Sequence, residues 1–377
     1  MALMASTSSQ RPRAHHRSRA ISMLATSLLG ILLASPMSAQ DSKEKVDVDE
    51  VSRDYVVHLP TGYDQKQHYP VVIVLHGRNQ DADDISRLTL FNQLADKDGI
   101  IAVYPASVHG QWNIGVRPEE TSQMMPQRRR GGWGGGWPGG GGGYPGGGGG
   151  YPGGGGGNYP QGGQNGGQNP EGNRNRTEPP DDIAFFNQIL EQLPLKYSID
   201  AHRIYAAGLE DGGFMALKAG CSMADKITAV AAVGAVMPKT MICLPSRAVP
   251  VILIDGTDDP IVPTNGGTYK PGRFHVLSAE DSAKTWGKYD RCAEKPAQGK
   301  VPATDKGGKE TKTYTYNGCQ DNAAVVLYSV KGGGNTWPGG EQYLPEKEVG
   351  KTSNAFNANE VIWTFFSGNK LSGDAQK

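Results

Sequence analysis

Two periodicities share this chain. Short, continuous apolar runs predict buried strands at "YPVVIVLHG" (69–77), "IIAVYP" (100–105), "ITAVAAVGA" (227–235) and "VPVILIDGT" (249–257). "RDYVVHLP" (53–60), "RIYAAG" (203–208) and "AVVLYSVKGGG" (324–334) read as further strands. Between them, apolar residues recur at helical spacing. "DADDISRLTLFNQLADKDG" (81–99) has an acidic start and apolar positions at Ile85, Leu88, Leu90, Phe91 and Leu94, and predicts one helix. Helices are also expected over "DDIAFFNQILEQLPLKY" (181–197), "FMALKAG" (214–220), "AEDSAKTWGKYDRC" (279–292) and "ANEVIWTFFSG" (358–368). Strands alternating with helices predict an α/β fold: a mostly parallel sheet with helices on both faces.

Three segments fall outside this rhythm. Residues 1–39 run from Arg11, Arg13, Arg17 and Arg19 through the apolar "ISMLATSLLGILLA" to the small residues of "SPMSA". That order predicts an export signal cleaved near Ala39, its apolar run being short for a membrane span. Residues 40–50, "QDSKEKVDVDE", read as a charged linker, and 371–377 as a tail. Residues 117–176 carry "WPGGGGG" and two copies of "YPGGGGG" in tandem, then a Gln/Asn/Gly-rich stretch. Such a segment has almost nothing to bury, so it reads as a low-complexity insertion in the α/β domain of 51–370. Its aromatics Trp133, Trp137, Tyr144, Tyr151 and Tyr159 could stack on sugars, but a tolerated surface insertion is the simpler reading. It follows a strand C-terminus, the edge where open α/β sheets bind ligands.

Lys and Arg number 38, as do Asp and Glu, so net charge gives no reason to expect a nucleic-acid partner. The four cysteines follow the export signal. Sequence order favours disulfides Cys221–Cys243 and Cys292–Cys319, and their spacing is unlike that of a zinc site. No cofactor motif is present, and nothing fixes an oligomeric state.

"GLEDGG" (208–213) carries the chemical question. Gly208 and Gly212 flank Glu210 between a predicted strand and helix, the arrangement of a nucleophile elbow. Around it, in order, stand "LPTGYD", "VVIVLHG" (71–77), "AVYP" with Trp112–Asn113, "DDIAFF" (181–186), "DGTDDPIVP" (255–263) and "GGGNTWPGG" (332–340). This series resembles secreted α/β-hydrolase esterases of the polyhydroxybutyrate depolymerase and feruloyl or acetylxylan esterase type. The resemblance implies an α/β-hydrolase fold and a Ser-Asp-His triad with a backbone oxyanion hole. The hole would be formed by the N–H groups of Arg78 and Asp211.

Two triad members depart from that pattern. Glu210 stands at the serine position and Asn335 at the histidine position; Asp259 keeps the acid, and Asp255 replaces a frequent histidine. Asparagine cannot serve as a general base, and the helix dipole favours a carboxylate at position 210 that would oppose a developing oxyanion. Three readings follow. One is a secreted non-catalytic protein binding a polysaccharide, aromatic ester or polyester, with Glu210 in the former oxyanion hole. The second is an active ester hydrolase using other residues, with His58, His68, His76, His109, His202 and His275 as candidate bases. The third is a cation site at Glu210, Asp255 and Asp259 with Asp258 and Asn335 nearby.

Overall fold

The structure is a computed structural model that describes residues 40–117, 179–302 and 310–372. The segment expected to be an export signal, nearly all of the Gly-rich insertion and most of the tail lie outside the described residues.

In chain order the strands are β1 (Gln40–Val48), β2 (Val51–Leu59), β3 (Tyr69–Leu75), β4 (Ile101–Pro105), β5 (Ile199–Leu209), β6 (Ala229–Val233), β7 (Val251–Gly256), β8 (Asn265–Tyr269), β9 (Phe274–Ser278), β10 (Ala297–Val301), β11 (Thr311–Tyr316) and β12 (Val325–Val330). The helices are α1 (Ala82–Thr89), α2 (Phe91–Asp98), α3 (Asp182–Lys196), α4 (Asp211–Ser222), α5 (Ala279–Tyr289), α6 (Glu346–Val349) and α7 (Ala358–Ser367).

Ten strands form one sheet in the order β1-β2-β4-β3-β5-β6-β7-β12-β11-β10. The six central strands, β4 to β12, pair in parallel. The outer strands add antiparallel. β3, β4, β6 and β7 are buried at every position, which is why they read as continuous apolar runs rather than alternating ones. Each face has its own core. Phe185, Ile189, Phe214, Leu217 and Trp286 of α3, α4 and α5 fill one, and Ile85, Phe91, Ile362 and Phe366 of α1, α2 and α7 the other. β8 and β9 form a separate two-stranded hairpin.

The structure differs from the sequence reading in three places. Residues 40–48 are not a linker: they pair with β2 along their full length as an edge strand. Their charged side chains sit on an edge with one partner, which conceals the strand pattern. The helix expected over 81–99 breaks at Leu90, whose φ is 56°. The carbonyls freed at the break are taken by the C-terminal part of the chain. Glu341 N–H donates to Leu88 O at 2.8 Å, and Asn359 Nδ2 to Thr89 O at 2.7 Å. The β8–β9 hairpin and strands β10 and β11 carry no clear pattern because half or more of their positions meet solvent.

The two stems of the insertion are fastened to each other. Asn113 N–H donates to Asp182 Oδ2 at 2.6 Å, and Asn113 Nδ2 donates to Pro180 O at 2.8 Å. Asp182 is held in turn by Arg53, whose Nη2 lies 2.7 Å from Oδ1 in a buried ion pair. The Arg53 guanidinium also stacks over Phe185 at 4.0 Å. Replacing residues 118–178 with a short Gly-Ser bridge should therefore shift Tm by less than about 4 °C, roughly 1 kcal/mol in a domain of this size. Arg53→Ala, which leaves Asp182 buried and uncompensated, should cost about 3–5 kcal/mol in urea unfolding.

Candidate functional site

The elbow is built by close backbone approach. A Cβ on Gly208 would lie 2.2 Å from Gly212 O, and one on Gly212 would lie 2.2 Å from Leu75 O. No side chain fits either position, so the turn between β5 and α4 requires both glycines. Glu210 sits at its tip with φ 51° and ψ −111°, a conformation that costs a non-glycine residue strain and that clusters at functional sites.

The Glu210 carboxylate turns toward the loop after β3. Its Oε2 accepts the Arg78 backbone N–H at 2.6 Å, and its Oε1 accepts the Tyr269 hydroxyl at 2.5 Å. A Cβ on Gly77 would come within 3.0 Å of Oε2, so glycine there leaves room for the carboxylate. Tyr269 ends β8 and is fully buried. Burial, then the charges of Glu210 and Asp211, push its hydroxyl pKa up, keeping it a donor. Arg78 closes the cluster through Nε to Tyr269 at 3.3 Å and Nη2 to Asp211 Oδ1 at 3.4 Å. Asp211, expected to offer its backbone N–H to an oxyanion hole, also serves through its side chain: Oδ2 accepts Trp112 N–H at 2.8 Å.

On the other side, Asn335 holds the aspartate. Its Nδ2 donates to Asp259 Oδ2 at 2.8 Å and to Gly234 O at 3.1 Å. The second oxygen of Asp259 accepts the N–H groups of Ile261 and Val262. An acid orienting a partner is thus preserved, but the partner is an amide. Asn335 Oδ1 is buried with no hydrogen-bond partner among the described residues. Glu210, Asp259 and Asn335 do converge: Glu210 is among the charges that raise the Asp259 pKa. Tyr343, which the sequence reading did not single out, also belongs to this corner. Its hydroxyl donates to Asn335 O at 3.1 Å, and after burial the charges of Glu210 and Asp259 raise its pKa. Tyr269 and Tyr343 lie outside the quoted segments, so no signal marked them.

The cation reading is not supported. Among the described residues no group of three or more His, Cys, Asp or Glu could hold a metal ion. Glu210 oxygens are occupied as above, and burial raises the pKa of Asp255 well above the usual carboxylate range, which favours a neutral acid over a ligand. Asp258 is exposed and bonds Thr257.

The histidines divide. His76 is a structural residue: its Nε2 accepts Ser107 N–H at 3.0 Å, so Nδ1 carries the proton toward Gly77 O at 2.8 Å, and burial lowers its pKa. His58 contacts Asp41, His68 contacts Ser198, His202 contacts Leu371 O and His275 contacts Thr268. His109 alone reaches the cleft beside the elbow. This cleft, of about 360 Å³, is lined by Arg78, His109, Trp112, Asp211, Arg273 and Phe274, among others, with Val116 and Pro179 at its rim where the insertion leaves and returns. Two disulfides, Cys221–Cys243 and Cys292–Cys319, pair as sequence order suggested, the first fastening the end of α4.

Residues 53–115, which run from β2 through the oxyanion loop to the stem of the insertion, match the family Esterase PHB depolymerase. Over this segment the chain is similar to esterases of the polyhydroxybutyrate depolymerase type. It is 23% identical over 88% of its length to a presumed esterase, NocK, from Nocardia uniformis subsp. tsuyamanensis, covering 83% of that protein. It is 32% identical to Feruloyl esterase B from Piromyces equi over 41% of its own length and 29% of that protein's. An acetyl xylan esterase structure from Aspergillus awamori aligns with a TM-score of 0.48 at 10% identity, over 86% of this chain and 99% of that one. This esterase-type chain has no described helix long and apolar enough to cross a membrane.

The buried acids set a pH dependence. Burial lifts Asp211 and Asp259 to about 6 and Asp290 to about 7, and also raises Asp255 well above the usual carboxylate range. Each folded-state pKa lies above the unfolded value near 3.9, so the folded protein binds more protons between those limits. Their stabilising contribution is complete below about pH 4 and is lost as pH rises through 6 to 7. Tm should be higher at pH 5 than at pH 7.5, and Asp255→Asn should reduce that difference. Tyr269→Phe, which strands Glu210 Oε1, should cost about 1–3 kcal/mol by chemical denaturation.

Proposed function

We propose that this chain is an exported esterase-type protein that binds its ligand without hydrolysing it. One observation carries the reading: the Glu210 carboxylate sits on the Arg78 N–H, where an esterase of this type would stabilise an oxyanion. An anion already seated there opposes charge development on a substrate carbonyl. Asn335 adds to it, since an amide donating to Asp259 has no proton to accept and pass on. The cleft in front of Glu210 would hold a polysaccharide, an aromatic ester or a polyester, the ester ligands being suggested by the feruloyl esterase relatives. Two disulfides suit an oxidising compartment outside the cytoplasm.

The test is hydrolysis of p-nitrophenyl acetate and methyl ferulate. Purified wild type should give no turnover above a mock preparation. Glu210→Ser combined with Asn335→His should raise turnover by about 10²-fold or more, the usual contribution of a restored general base. Wild-type turnover that Glu210→Ala abolishes would overturn the reading in favour of carboxylate chemistry.

A further inference from the structure

Glu210 closes the oxyanion corner from within, so a ligand must be recognised by what surrounds the adjoining cleft. The floor is apolar, with Trp112, Ile114 and Phe274 all nearly buried. The charges around it are lopsided. Asp211 is the acid in the lining, and it is consumed: it is 1% exposed, bonded to Trp112 N–H and facing Arg78. The cations are less committed. Arg273 lines the cleft and is exposed, and Lys218 on α4 brings its Nζ within 3.8 Å of where a Gly115 side chain would begin, beside the lining residues Ile114 and Val116. Neither pairs with an acid among the described residues.

Backbone geometry adds a second, independent indication. Arg273 closes the turn between β8 and β9, with its N–H 3.2 Å from Lys270 O, in the left-handed region at φ 53°. His109, across the cleft, is also left-handed at φ 56°. Glycine would occupy either position without strain. Instead the two positions carry side chains that can donate to an anion, and both line the same cleft.

We propose that this cleft binds a ligand combining an apolar body with a free carboxylate, and that Arg273 distinguishes the acid from its ester. The inference rests on the binding reading given above and specifies the ligand class for that cleft. The apolar body lies on the Trp112, Ile114 and Phe274 floor. The carboxylate faces the cationic rim, where a neutral ester offers no charge to pair. The volume of about 360 Å³ is within the range of small-ligand clefts and accommodates a single-ring acid.

Isothermal titration of the full chain with sodium cinnamate and with methyl cinnamate tests this. Cinnamate should bind more tightly than its methyl ester, and its affinity should fall between 20 mM and 500 mM salt as screening increases. Arg273→Ala should weaken cinnamate by about fivefold, the upper range for an exposed ion pair, and leave the ester unchanged. Arg273→Glu should weaken it further, with circular dichroism and Tm confirming that both variants are folded. Equal binding of acid and ester, or an affinity for cinnamate unmoved in Arg273→Glu, would overturn the carboxylate preference and leave the binding reading intact. Binding of neither probe, with xylotriose and 3-hydroxybutyrate oligomers also inert, would overturn both.

Discussion

A carboxylate resting on a backbone N–H at the mouth of a tight turn organises this site. The contact between Glu210 and Arg78 is short, largely shielded from water and reinforced by the Tyr269 hydroxyl. Each partner is fixed by something else. Glu210 is held in a left-handed conformation that the packing of Gly208 and Gly212 imposes, and Tyr269 is held by the β8–β9 hairpin and by Phe214 and Phe274. The hairpin, the oxyanion loop and the elbow therefore meet at one anion. In a hydrolase such a donor is left free to receive charge during reaction. Here a side-chain carboxyl of the protein itself occupies that donor.

The Asp259 side of the site is held in a similar way. Asp259 is still oriented by two backbone N–H groups and still faces a side chain from the loop after β12. That side chain is an amide, and its Nδ2 donates to Asp259 Oδ2. Asn335 Oδ1 and Asp255 Oδ2, which have no hydrogen-bond partner among the described residues, are the energetic cost of these side chains in a buried pocket. The turn and the oriented aspartate are in place, and a carboxyl and an amide stand at the two positions where the proposed reading expects the proton-exchanging residues of an esterase.

Much of this was legible from the chain. The central strands are buried on both faces, so their apolar runs gave them away, and the paired glycines of the elbow are required by distances that no other residue satisfies. What escaped detection shares a physical cause. β1 and β10 are edge strands with exposed side chains, and their order comes from a neighbour's backbone rather than from their own composition. The interruption at Leu90 was equally hidden, since its apolar spacing continues through the break and the groups that stabilise it lie some 250 residues away in sequence. Tyr269 and Tyr343 are ordinary tyrosines in sequence and become site residues only through tertiary placement.

That break has a consequence for how the chain acquires its structure. The carbonyls exposed between α1 and α2 are satisfied by Glu341 and Asn359, near the C-terminus. The same region supplies α7, which packs on α2, and Asn335, which completes the corner around Asp259. An N-terminal half emerging first during synthesis would thus carry unpaired backbone and an open apolar face until the last residues arrived. The break between the first two helices and the corner around Asp259 thus both depend on contacts from the same segment, residues 335–367.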